Sequence, residues 1–409
     1  MTLIPDHGPM QFGLFVAPQH YPKQNPTRAL RRDLETLAYA ESLGFVEGWV
    51  GEHHSTGHEI IASPEVFLAA AIERTQRMRL GTGVASLPYH HPFHVAQRAV
   101  LLDHLSMGRS ILGVGPGSLP SDAAMIGVPW SETRDRMAES IDVILKLLTS
   151  EEGVTHHSPW FTLDDAYLQV KPFQQPTPEL VFTSMESPFG PTLAGKYGAG
   201  LLSLGASSRR GYAALSNMWR IAEEQAAVHG NTVSRSQYRV VAFMHVAETR
   251  ERAYAEVEKG FPRHMDYVAN VSERTFAWME EQAESNGAPE GPPVQPTVQQ
   301  MIEGVRDTHL ICVGDPDDAI AFIEHMYHAA DGFGTLLVIS GTDWAAQDAE
   351  FRSLELISRE VMPHFQGSSR PMEIAVQRAL ATRGLRLGEQ RESIKVASQK
   401  YVDAGGKVS

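Results

Sequence analysis

Residues 45–66 read FVEGWVGEHHSTGHEIIASPEV. The stretch begins as a short apolar run with aromatic and β-branched residues, the composition of a buried strand, and breaks off at Glu52-His53-His54. Ser/Thr/Gly chemistry then leads into Ser63-Pro64, a serine followed by a proline, which marks a helix start. A buried strand that delivers three ionisable residues at its C-terminal end is how a parallel α/β barrel presents chemistry. Side chains alternate along a strand, so Glu52 and His54 are expected on one face and His53 on the other.

Upstream, residues 12–17 (FGLFVA) read as a strand closed by Pro18. Residues 27–43 carry Leu30, Leu34, Leu37, Ala38 and Tyr39 at roughly helical spacing and stop at Gly44. Strand, helix and strand within residues 12–51 make a βαβ unit, whose strands are parallel. Downstream the alternation continues with a helix over 64–75, a strand over 80–87, a helix over 93–105 and a strand over 110–115. An amphipathic helix over 132–148 puts Met137, Ile141, Ile144, Leu145 and Leu148 on one face. Residues 149–178 break the rhythm and read as an insertion with a short strand pair around 160–170. Strands over 180–184, 200–204, 238–246 and 334–340, with helices over 191–197, 209–229 and 348–365, complete eight units. The pattern predicts a (β/α)8 TIM barrel over residues 1–365, with its pocket at the C-terminal ends of the strands. The long irregular stretch ESNGAPEGPPVQPTV (284–298) is expected to belong to a lid within 270–304. Residues 366–409 hold a helical pattern, MEIAVQRALATRGLRL, and a polar end, and read as a C-terminal extension.

Of the 409 residues 42% are hydrophobic and 21% charged, enough for a large core in a globular protein. A formal net charge of -14, without a long Lys/Arg run, repels phosphate backbones and anionic lipid, so neither nucleic acid nor membrane is an expected partner. The single cysteine, Cys312, lies in the apolar run LICV and reads as a buried, unreactive thiol. The first residues, MTLIPDHGPM, lack a basic-then-apolar leader pattern, and a cytoplasmic location is expected.

Two imidazoles beside a carboxylate suit proton transfer, a metal or a polar core. His53, His54, His58, His90, His91 and His94 invite the metal reading, but no HxH opens the first strand and no H-E-x-x-H occurs, so no metal is expected. His90, His91 and His94 are expected to line the mouth of the pocket. The glycine-rich GVGPGSLPSD (113–122) fits neither GxGxxG nor GxxxxGK[ST] and reads as a tight turn that lets a flat ligand approach the backbone. TSMESPFG (183–190) ends a strand and opens a helix, so its N–H groups and the Ser184 and Ser187 hydroxyls suit an anion; Ser187 is equally well an N-cap.

EHH after the second strand, then LGTGVASLPYHHPFHVAQRAVLLDHLSMGRSILGVGPG, MESPFGPTLAGKYG and VGDPDDAIAFIEHM, stand in the order and spacing of the bacterial luciferase-like, flavin-dependent monooxygenases, which residues 11–365 resemble. The run GEHHSTGHEIIASPEVFLAAAIERT is most similar to the limonene 1,2-monooxygenase type. The resemblance implies a two-component enzyme that takes reduced FMN (FMNH2) from a separate NAD(P)H-dependent flavin reductase and forms a C4a-peroxyflavin with O2. It would then oxygenate a hydrophobic small molecule, a terpene such as limonene or a ketone, and a homodimer or larger assembly is expected. By position the resemblance makes His53 the catalytic histidine, acting as base or proton donor, and Glu52 the acidic residue beside the flavin ring. Gly83 and Val84 match a pair that meets the ring, often through a non-proline cis peptide; Gln97 faces the flavin, and Met185, Glu186 and Ser187 match the ring edge and phosphate. Either Arg134 or Arg136 would bind the phosphate. Gly115 stands where luciferase has a reactive cysteine, which favours ordinary oxygenation over light emission. Phe15, Trp49, Leu87, Tyr89 and Phe189 are expected as apolar pocket walls. The competing readings are a deazaflavin-dependent oxidoreductase on the same barrel and a metal-dependent barrel hydrolase.

Overall fold

The first strand, β1 (Gln11–Val16), shows how the chain sorts its apolar residues. Phe12, Leu14 and Val16 join the large core between strands and helices, whereas Phe15 joins a second core inside the barrel. Successive side chains of a strand face opposite ways, so a strand apolar on both faces fits only where both are covered. The computed structural model of the chain describes residues 8–17, 19–271, 297–306, 308–340 and 343–407.

The barrel strands are β1, β2 (Glu47–Val50), β3 (Arg79–Thr82), β5 (Ser110–Gly115), β8 (Glu179–Ser184), β9 (Gly200–Ser203), β10 (Tyr238–Val246) and β12 (Thr335–Ser340). All their pairings are parallel, and the ring closes because β10 pairs with both β9 and β12 while β12 pairs with β1. This is the expected eight-stranded barrel. Helices α1 (Pro26–Ser42), α2 (Pro64–Ile72), α3 (Pro92–Leu105), α5 (Thr133–Thr149), α6 (Phe189–Tyr197) and α7 (Arg209–His229) cross between the strands. Proline in the first turn starts α1, α2 and α3, where its missing N–H and fixed φ cost nothing.

Trp49 fills the barrel interior and is fully buried. A Cβ on Gly81 would lie 2.6 Å from its ring and one on Gly113 would lie 2.7 Å away, so the neighbouring strands make room by omitting side chains. Trp49 and Leu87 are therefore core, not the pocket walls the sequence suggested.

Several boundaries differ from the expected ones. The strand expected over 80–87 is split into β3 and a two-residue β4 (Ala85–Ser86) on either side of a cis Gly83–Val84 peptide. The insertion forms a hairpin of β6 (Val154–His157) and β7 (Thr162–Ala166), with Trp160 in the turn. A short helix α4 (Pro120–Ile126) follows the glycine-rich turn, where no helix was expected. Between β10 and β12 the described residues include α8 (Arg250–Val257), α9 (Phe261–Asn270), the helices Val298–Arg306 and Pro316–Ala329, and β11 (Ile311–Gly314), which extends the sheet beside the upper half of β10. The strand and the helices of ten residues or fewer are too short to show several turns of periodicity, whereas the 14-residue helix Pro316–Ala329 buries Ala319, Phe322, Ile323 and Met326 at helical spacing and was missed. Of the expected lid, residues 272–296 lie outside the described residues. Cys312 on β11 is buried, and burial pushes its thiol up to about 12. The tail folds as one helix, Arg370–Asp403, with no buried residue. Among the described residues no helix is long and apolar enough to cross a membrane.

Candidate active site

A cavity of about 370 Å³ opens at the C-terminal ends of the barrel strands. Phe15, Val84, Phe189, Val241, Phe243 and Ile339 give it apolar walls, and Gln19, Glu52, His53, Glu59 and the 183–187 segment bring polar groups to it. A mostly apolar cleft with a few convergent polar groups is the usual form of a small-molecule site.

His53 is held from both sides. Its Nδ1 is 2.9 Å from Asp122 Oδ2 and its Nε2 is 2.6 Å from Glu59 Oε2. Glu59 also accepts from the Tyr267 hydroxyl of α9 at 2.8 Å. Asp122, on α4, accepts the His54 backbone N–H at 3.0 Å and the Ser55 hydroxyl at 2.6 Å. Burial pushes the Asp122 carboxyl up, but the donors His53, Ser55 and His54 outweigh it and hold the group below the ordinary carboxylate range. Neither Glu59 nor Asp122 was singled out from sequence, because both follow the strand ends by several residues. The available signal was a carboxylate in each of two loops that a closed barrel must bring to one rim.

Glu52 turns to a different set of partners. It accepts from the Ser86 backbone N–H at 2.7 Å and meets His54 Nε2 at 2.9 Å and His90 Nε2 at 2.6 Å. Burial alone would raise this carboxyl; the bonds to His54 and His90 dominate and bring it to about 2. His54 is raised in turn, chiefly by its bond to Glu52. The carboxylate thus ties the end of β2 to the loop after β3. Glu52 and His53 both reach the cavity, against the expected alternation, because β2 ends at Val50 and the chain beyond it is irregular. His90, His91 and His94 do not line the cavity: His90 serves Glu52, His91 caps α3 and His94 is exposed.

Gly83, Val84, Met185, Glu186 and Ser187 all line the cavity. Ser187 also accepts the Phe189 backbone N–H at 3.3 Å, and Glu186 accepts from the Ser208 hydroxyl at 2.7 Å. Gln97 sits half-buried on α3, outside the lining. The two arginines separate. Arg134, at the start of α5, lines the rim, is exposed and has no carboxylate partner among the described residues, whereas Arg136 bonds Glu132 at 2.9 Å and packs over Trp160. Two buried polar atoms of the lining, Ser184 Oγ and Gln19 Oε1, have no hydrogen-bond partner among the described residues. Such atoms are rare unless a ligand or water completes them. Among the described residues no group of three or more His, Cys, Asp or Glu is disposed to hold a metal ion.

The sequence profile of the family described as "Luciferase-like monooxygenase" matches residues 10–332. The chain belongs to the luciferase-like monooxygenases. It is 45% identical to limonene 1,2-monooxygenase of Rhodococcus erythropolis over 366 residues, 90% of this chain and 89% of that one. It is 43% identical to 4-hydroxyprotoasukamycin monooxygenase of Streptomyces nodosus subsp. asukaensis, covering 88% and 93%. Among solved structures, the oxygenating constituent of 3,6-diketocamphane monooxygenase from Pseudomonas putida, a type II Baeyer-Villiger monooxygenase in complex with FMN, superposes with a TM-score of 0.71 at 26% identity, covering 87% of this chain and 98% of that one. As a luciferase-like monooxygenase, the protein is an oxidoreductase whose site lies where this barrel places its ligands.

Proposed function

We propose that this chain is the oxygenase of a two-component system. It would take reduced FMN from a separate NAD(P)H-dependent reductase and use O2 to oxygenate an apolar small molecule, a terpene such as limonene or a cyclic ketone. One observation carries the reading: a cavity with apolar walls holds an imidazole clamped between two carboxylates, with an arginine at its rim that has no carboxylate partner among the described residues. The named activities of the relatives support the oxygenation, and the FMN of the diketocamphane enzyme supports the cofactor.

The residues fit such a flavin. Ser184 Oγ and Gln19 Oε1 are buried polar atoms with no hydrogen-bond partner among the described residues, Gly83 and Val84 offer backbone to a flat ring, and Arg134 offers a cation to a phosphate. When bound, reduced flavin supplies the two electrons that activate O2. The protein's own part is to exclude water with Phe15, Phe189, Phe243 and Ile339, to orient the substrate by apolar contact, and to control the proton at His53.

The test combines the purified chain, a flavin reductase, FMN, NADH and 18O2 with limonene or a cyclic ketone. The expected result is a product that carries one 18O atom. Absence of product across apolar substrates, together with tighter binding of reduced deazaflavin than of reduced FMN, would replace the oxygenase by the deazaflavin oxidoreductase.

A further inference from the structure

A neutral imidazole offers one N–H donor and one lone pair, while an ionised carboxylate only accepts. At His53 both ring nitrogens face carboxylates, Asp122 at 2.9 Å and Glu59 at 2.6 Å. A neutral ring would have to point a lone pair at one of these oxygens. All three groups are buried, with 8% of His53, 4% of Glu59 and 1% of Asp122 exposed, so solvent does little to relieve that repulsion. Each carboxylate has further donors: Tyr267 on Glu59, and Ser55 and the His54 N–H on Asp122. Those donors favour the ionised form of both.

Among the described residues, the other titratable groups near the ring include Glu52, His54, His90, Tyr89 and the Tyr267 hydroxyl on Glu59. Glu52 is itself matched by His54 and His90, whereas the carboxylates of Glu59 and Asp122 both face the His53 ring. Tyr89 stands edge-on to His54, and burial raises its hydroxyl so that it stays neutral.

We propose that Glu59 and Asp122 are positioning residues that hold His53 as an imidazolium, so that the ring meets a bound ligand as a positive charge and a proton donor, not as a base. This rests on the oxygenase reading for its purpose but not for its truth. In the reaction, the Nε2–H contact to Glu59 would open, and the proton would pass from Nε2 to an acceptor atom in the cavity. The N–H electron pair stays on the nitrogen, and the ring is left neutral with its Nδ1–H on Asp122. A proton from solvent then restores the imidazolium before the next turnover.

The test reads the ring directly in the cofactor-free protein. With 15N-labelled histidine, the His53 signals, assigned by their loss in His53→Gln, should show both nitrogens protonated at about pH 7.5, where an unperturbed ring is mostly neutral. Glu59→Gln should convert the ring to the neutral Nδ1–H tautomer at that pH, and Glu59→Asp should restore part of the charge. Asp122→Asn should also discharge the ring, and it serves as the second variant should Glu59→Gln fail to fold. A neutral ring in the unaltered protein, or a fully charged ring in whichever variant folds, overturns the proposal. In turnover with the reductase, Glu59→Gln should lower kcat by at least about 100-fold, the low end of what a general acid contributes, with a smaller change in the affinity for reduced FMN. A charged ring in a protein that oxygenates nothing would sink the oxygenase reading alone. Product formation with a neutral ring would sink only the proton-donor assignment.

Discussion

Arg239 and Glu47 grip each other inside the N-terminal end of the barrel, with Nη2 to Oε1 at 2.7 Å and Nε to Oε2 at 2.8 Å. The guanidinium also reaches Glu179 at 2.9 Å and lies over the Trp49 ring. β10, β2 and β8 are thereby joined at the end opposite the cavity. Burial pushes Glu47 up, but Arg239 outweighs it and keeps the carboxyl below its ordinary value. Arg239→Met would leave that buried charge with only the Trp49 N–H at 2.9 Å and the more distant Arg79 at 3.9 Å, at a cost of about 3 kcal/mol. The expected outcome is a much lower melting temperature with flavin affinity intact in the folded fraction, measured by calorimetry and fluorescence titration.

Arg134 and Arg136 make a paired comparison at the cavity rim. Loss of one charge-assisted contact to a phosphate should weaken binding about 10- to 100-fold. Arg134→Ala is expected to do this for FMN and to leave riboflavin unaffected, while Arg136→Ala changes neither. Equal losses for FMN and riboflavin would show that Arg134 does not read the phosphate.

Glu52 gives a pH signature. Its carboxyl is depressed from 4.5 to about 2, so the stabilisation is present above about pH 4.5 and lost as pH falls towards 2. Glu52→Gln should therefore cost roughly 2–3 kcal/mol at about pH 7 in urea unfolding, and the gap to the unaltered protein should close in acid. Curves that stay parallel down to about pH 3 would contradict the charge clamp to His54 and His90.

Gly113 admits no side chain. A Cβ there would lie 2.0 Å from the Thr82 carbonyl oxygen and 2.7 Å from the Trp49 ring, and a backbone oxygen held in a sheet cannot swing aside. Gly113→Ala should destabilise by about 3 kcal/mol or more, at or beyond the top of the usual range for overpacking. Normal thermal stability would mean that β3 and β5 can move apart at this point to admit the methyl group.

The tail helix Arg370–Asp403 contributes no buried residue to the barrel. A chain that ends at Ser369 should melt within about 2 °C of the full one, since surface changes are usually worth under 0.5 kcal/mol. A larger loss would place the helix in an interface that holds the protein together.

The eight-unit rhythm was legible because most strands are short apolar runs and helices such as α1, α5 and α7 show an apolar stripe, and both patterns survive in a linear string. His53, Glu52, Gly83, Val84 and the 183–190 segment could be named because they stand at or just beyond strand ends, which a barrel sends to one rim. Tertiary structure alone decided the partners. Glu59 lies six residues and Asp122 sixty-nine residues beyond His53, and only ring closure and the unforeseen α4 bring their carboxylates to its two nitrogens. It also separated Arg134 from Arg136, which one strip of helix sequence could not do, and it turned Trp49 from a pocket wall into core. Periodicity encodes which face of an element is covered; it carries no record of which loops meet, because such contacts depend on distance in space between residues far apart in the chain.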